Sequence, residues 1–192
     1  KVNPIQLTEM KAPSGNPLVE GILATAEVKN GNGRYYAKDL WEREIDKYKE
    51  VVKENRATGE LDHPDSSIIN LKNVSHNIKK IWWDGDHVMG AIELLPTPSG
   101  NILRALFENK IPVGVSSRGM GSVTPMRGAD SGKVQVGEDF ELIGWDFVSN
   151  PSTHGAFMTP MNESVIKGIG TDVCGDFCKA QDLMREIITE LV

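Results

Sequence analysis

Val74 to Trp83 and His87 to Leu95 read as two strands with only Asp84-Gly85-Asp86 between them. So short a link joins neighbouring strands antiparallel, because a parallel return needs a crossover of a dozen or more residues. This hairpin sets the direction of the sheet. Its first strand sorts poorly at the start, with Ser75, Asn77 and Lys79 on one side and His76, Ile78 and Lys80 on the other. Trp82 and Trp83 then read as core on one side and lid or interface on the other. They lack the interleaved basic stripe of a base-stacking platform.

The rest of the chain supplies partners for that hairpin. Lys1 to Pro17 carries three prolines among polar residues and reads as an extended arm. Leu18 to Lys29 alternates as a strand, and Asn30-Gly31-Asn32-Gly33 ends it in a turn. From Ala37 to Asn55, Leu40, Trp41, Ile45, Tyr48, Val51 and Val52 recur at three- and four-residue spacings, which predicts an amphipathic helix. A shorter helix is expected from Ser99, as its cap, to Asn109. Val123 to Val136, rich in Gly, Pro, Asp and Arg, reads as a surface loop, and Phe140 to Val148 returns to strand character. Beyond Pro160 a polar linker precedes an amphipathic helix over Ala180 to Val192. Many short strands with a few helices indicate an α+β domain on a mostly antiparallel sheet or barrel.

Charge and cysteine content narrow the partners. A net charge of -6 argues against generic binding to nucleic acid or anionic membrane, and no apolar run is long enough to span a bilayer. Cys174 and Cys178 lie within about one helical turn and have no histidine after them, so they read as reduced thiols rather than a zinc site or disulfide. No cofactor and no metal are expected.

Chemistry concentrates in Gly114-Val115-Ser116-Ser117-Arg118-Gly119-Met120-Gly121. An apolar lead-in there delivers two hydroxyls and a guanidinium into a glycine run where backbone can approach a ligand closely. A serine nucleophile needs a base, and the base needs an orienting group. Gly59-Glu60-Leu61-Asp62-His63-Pro64 offers an imidazole in a turn-like setting, and Gly144-Trp145-Asp146-Phe147-Val148 embeds one carboxylate in an apolar run. Each segment also has an ordinary reading, as a loop, a turn and the polar face of a strand, which the residues alone leave open.

Taken in order, the Ala26 to Tyr36 stretch, Gly59 to Pro64, Ile81-Trp82-Trp83, Ile111 to Gly119, and the Asp146 segment ending in Pro151-Ser152 resemble motifs of the prohead core proteases of tailed bacteriophages. The match runs from about Gly21 to Pro160, and its specificity lies in several unrelated short motifs agreeing at once. The resemblance implies a herpesvirus-protease-like fold, a small and mostly antiparallel β-barrel surrounded by a few helices. It divides the chain into an N-terminal arm (1–20), a serine protease domain (21–160), and a linker with C-terminal helix (161–192).

The same resemblance implies Ser116 as nucleophile, His63 as general base and Asp146 as third member. Ser117, Arg118 and Gly119 become candidates for the oxyanion or substrate site, and His154 is a second candidate for the third position. The role of Arg34, in the first motif, stays undetermined. His76 and His87, in strand-like segments, are expected to be structural. The implied substrates are phage scaffold and major capsid proteins, cut after glutamate in Leu/Ile-x-Glu inside the prohead assembling in the host cytoplasm. Leu7-Thr8-Glu9, Leu18-Val19-Glu20 and Ile188-Thr189-Glu190 fit that pattern, and self-cleavage is expected at Glu9 or Glu190. Self-association would suit the acidic surface, arm and terminal helix. The competing readings are an inactive scaffolding component of the phage head with the same fold, and a metal-dependent hydrolase using His63, Asp62 and Asp146.

Overall fold

The computed structural model describes residues 11–64, 66–127 and 132–161, which fall within the unit Glu9–Met161. In chain order its elements are β1 (Leu18–Thr25), β2 (Arg34–Tyr35), α1 (Lys38–Lys53), β3 (Thr58–Glu60), β4 (Val74–Asp84), β5 (His87–Leu94), α2 (Pro98–Glu108), β6 (Gly114–Met120), β7 (Val123–Pro125), β8 (Val134–Val136), β9 (Glu141–Val148) and β10 (Thr159–Pro160). Glu9, Glu190, Cys174, Cys178 and the helix expected over Ala180 to Val192 lie outside the described residues.

The expected hairpin is the middle of the main sheet, whose order is β10-β1-β5-β4-β3 with every neighbouring pair antiparallel. Gly85 closes its turn at φ 60, a left-handed value that glycine adopts without a Cβ clash. The poor sorting at the start of β4 has two causes. Val74 to Ile78 are buried without interruption because both faces are covered, and the register then slips between Ile78 and Lys80. Trp83 packs against the main core and Trp82 against a small cluster of Ala12, Leu18, Ala91 and Met161.

α1 forms because its apolar residues share a face: Leu40, Trp41, Ile45 and Tyr48 are buried, and Trp41 stacks between Tyr36 and Trp145. Glu44 is the buried exception, satisfied by Arg43, Lys47 and the Leu142 amide. α2 starts at Pro98, so its cap is Thr97 and not Ser99. A proline in the first turn gives up an amide that has no intrahelical partner anyway. Thr97 Oγ1 accepts from the Gly100 amide at 3.0 Å and donates to the Val74 carbonyl, tying α2 to β4.

The arm is part of the fold from Lys11 onward. Residues 11–17 make a turn whose Ser14 and Asn16 side chains both donate to the buried Glu93 of β5. Val123 to Val136 is not a plain loop either, since β7 pairs with β8 and β8 runs parallel to β2. Pro125 is tolerated because β7 is an edge strand.

The expected closed barrel is not found. Among the described residues the strands form three sheets, with β6–β9 as a separate antiparallel pair. Among the described residues, ladder pairing between that pair and its neighbours is limited to isolated bridges, Leu61↔Phe147 and Gly114↔Phe157. The first of these cannot extend, because Asp62 follows Leu61 at φ 65 and a left-handed residue breaks the strand.

Candidate active site

β9 is flanked on one side by β6 and on the other by the chain leaving β3, and this crossing collects the polar groups. Ser116 is directly opposite Asp146 in the β6–β9 register. Opposed residues of an antiparallel pair leave the same face with Cβ atoms about 5 Å apart. On the other edge the Asp62 amide donates to the Phe147 carbonyl at 2.9 Å, pinning the turn that carries His63. The His63 Nδ1 then lies 2.9 Å from Asp146 Oδ2. An ionised carboxylate only accepts, so Nδ1 carries the proton and Nε2 is left as an acceptor on a ring whose side chain is 40% exposed.

The second Asp146 oxygen is engaged as well. Oδ1 accepts from the Glu60 amide at 3.0 Å and from Arg118 Nη2 at 2.5 Å. The same Arg118 nitrogen is 3.0 Å from Glu60 Oε1, and Nη1 donates to the Ser66 carbonyl. All three charged side chains are buried. Burial alone would raise the Glu60 carboxyl, but the Asn70 amide, Arg118 and Asn73 outweigh it and hold it below the ordinary range. Burial would likewise lower Arg118, and the two carboxylates reverse that direction.

Ser116 Oγ meets Ser152 Oγ at 3.3 Å and makes no hydrogen bond to His63. Ser152 is held in turn by the Gly31 amide, which donates to its carbonyl, so the Asn30 to Gly33 turn reaches the site through Ser152. A cleft of about 350 Å³ opens on the His63 side, bordered by His63, Asp62, Pro64, Asn73 and Ser99.

Other candidates lie elsewhere. Ser117 is opposite Trp145 and leaves the other face of β6. Arg118 does not present its guanidinium to an approaching substrate, since two carboxylates and a carbonyl occupy it. Gly119 and Gly121 are needed for packing, because a Cβ on Gly119 would sit 2.5 Å from the Phe140 ring and one on Gly121 2.8 Å from the Phe140 backbone. His154 is exposed and makes no hydrogen bond to His63, while the exposed Asp62 carboxylate takes no part in the ion network of Arg118. His87 bonds Thr25 at the surface. His76 is wholly buried between Ser75 and the Trp145 carbonyl, and burial pushes its imidazole down to about 3.

Glu60 and Ser152 are the site residues that sequence reasoning passed over. Both stood inside the quoted motifs, Glu60 three residues before His63 and Ser152 at the end of the Asp146 segment. Their types gave no reason to prefer them to neighbouring polar residues.

Comparison with known proteins adds the family. Residues 5–166 match the prohead core protein serine proteases. The prohead core protein protease of Enterobacteria phage T4 is 35% identical over 147 residues, covering 74% of this chain and 68% of the relative. The solved structure of the bacteriophage T4 capsid assembly protease is similar with a TM-score of 0.67 at 33% identity, covering 77% of this chain and 90% of that one. This chain therefore belongs to the prohead core protein serine protease family, and is a peptidase of capsid maturation.

Proposed function

We propose that the chain is a serine endopeptidase with Ser116 as nucleophile, His63 as general base and Asp146 as the group that orients the base. The observation that carries this reading is the His63–Asp146 hydrogen bond formed directly across the ladder from Ser116. The Ser116 hydroxyl turns about χ1 from Ser152 toward His63 Nε2 as substrate enters. Catalytic hydrogen bonds commonly tighten only in the loaded site.

His63 Nε2 takes the hydroxyl proton while Ser116 Oγ bonds to the scissile carbonyl carbon. The carbon–nitrogen bond then breaks, the amine leaves with that proton, and an acyl-enzyme remains. Water repeats the sequence, giving its proton to His63 and releasing the acid as the proton returns to Ser116. Asp146 keeps the Nδ1 proton in place throughout and stabilises the imidazolium. Main-chain amides after Ser116 supply the oxyanion donors, each worth roughly 3 kcal/mol of barrier.

The substrates in this reading are scaffold and major capsid proteins of the phage head, cut after glutamate in Leu/Ile-x-Glu within the assembling prohead in the host cytoplasm. Self-processing falls at Glu9 or Glu190. Leu18-Val19-Glu20 is disfavoured because it is paired on both sides within β1, and cleavage there would first require the strand to leave the sheet.

A peptide carrying Leu-x-Glu should be cut by the wild type and not by Ser116→Ala or His63→Ala. Intact mass of the expressed protein should show shortened termini only in the wild type. Cleavage by Ser116→Ala at the wild-type rate would reject the nucleophile, and identical termini would reject self-processing.

A further inference from the structure

The ion network around Asp146 does not balance. Arg118 brings one positive charge between two carboxylates, Asp146 at 2.5 Å and Glu60 at 3.0 Å, and all three are buried. With the imidazole neutral, the cluster holds one excess negative charge. A buried carboxylate paired one-to-one with a guanidinium would have its field largely cancelled at the next group. Asp146 escapes that because its cation is shared.

We propose that Glu60 is a positioning residue for the base: by taking its share of Arg118 it leaves Asp146 a net field on His63, so that the imidazolium becomes the cation that completes the cluster. The backbone supports the same arrangement, since the Glu60 amide holds the Asp146 oxygen that His63 does not use. Glu60 is fixed in turn by the Asn70 amide, at 2.9 Å from Oε1, and Ser66 of the same loop receives Arg118. The loop over residues 66–70 thereby locks both arms of the cluster.

The titratable groups of the cluster that holds Asp146 come from four elements, and the His63 turn adds its own. Asp146 lies on β9, Arg118 on β6 and Glu60 on β3. Tyr48 of α1, whose phenol burial and then the Asp146 charge push up, stays protonated. Asp62 adjoins the ring in sequence with an exposed side chain, and Asp65 lies outside the described residues.

The test is the titration of the His63 ring, followed by its C2 proton in NMR spectra of the full chain. Glu60→Gln keeps the shape and lets Arg118 neutralise Asp146, so the ring should titrate about one pH unit lower than in the wild type. The double variant Glu60→Gln/Arg118→Met removes one charge of each sign and should restore titration to within a few tenths of a pH unit of wild type. An unmoved ring in Glu60→Gln, or a double variant titrating well above wild type as loss of the cation alone would produce, overturns the proposal. If the single variant fails to fold, the double variant alone decides, because the proposal leaves its ring near the wild-type titration and loss of the cation alone raises it.

The functional arm rests on His63 being the base, and reads the acid limb of kcat/KM on a Leu-x-Glu peptide. In Glu60→Gln that limb should move down with the ring. A ring that shifts while the limb stays put would sink the assignment of His63 as base and leave the role of Glu60 intact.

Discussion

Asp62 adjoins His63 in sequence and Asp146 bonds it in space, and the two carboxylates have different parts. Asp146 is buried, faces Ser116 across the ladder and holds Nδ1; Asp62 is a left-handed turn residue whose amide, not its carboxylate, does the anchoring. Asp146→Ala should reduce turnover roughly a thousandfold or more, whereas Asp62→Ala should stay within about tenfold. Single-turnover assays on the two variants check this, and equal losses would contradict the orienting role of Asp146. Gly59, beside the same site, admits no side chain at all, since a Cβ would stand 2.0 Å from the Trp145 carbonyl and 2.5 Å from the His76 ring. Its closeness lets β3 lie against β9 and hand Glu60 to Arg118.

Among the elements, α2 and β4 are bridged by one hydroxyl. Thr97 caps the helix and donates to the Val74 carbonyl, so Thr97→Ala removes both bonds. The expected loss is about 1–2 kcal/mol of stability with kcat/KM nearly unchanged, measured by chemical denaturation beside a peptide assay. The elements also show where periodicity reads well. α1 was legible because its apolar residues recur on one face against solvent, and the β4–β5 hairpin because a two-residue turn follows from Gly85-Asp86. β7 and β8 were not, since three-residue strands are too short to display alternation, and the β2 strand that pairs with β8 lies about a hundred residues away in the chain. The Thr97 cap was obscured by Ser99, an equally good capping residue two positions on.

For the whole molecule, buried titratable groups set the response to acid. His76 is neutral in the fold with its value near 3, against about 6.5 when exposed, so between those limits the unfolded chain binds the extra proton. Stability must fall as pH drops below about 6.5, by up to roughly 1.4 kcal/mol per pH unit from this residue. Glu60, Glu44 and Glu93 are each held below the ordinary carboxylate range once the bonds they accept outweigh burial, so what they contribute is present at neutral pH and lost only in stronger acid. Denaturation midpoints from pH 8 to 4 should decline from about pH 6.5, and a folded His76→Gln variant should show a flatter decline over the first part of that range. An unaltered slope would mean that His76 is not the group responsible. The antiparallel hairpin, the long helix, the apolar strand beneath Ser116 and, through its motifs, the family could all be read from residues close together along the chain. Only folding in three dimensions shows that the strands form three sheets among the described residues instead of a barrel, that Ser116 rests on Ser152, and that Glu60, Arg118 and Asp146 share one buried cluster. Those outcomes depend on register between strands dozens of residues apart, and on which charges find each other once water is excluded, and neither is encoded in any local pattern.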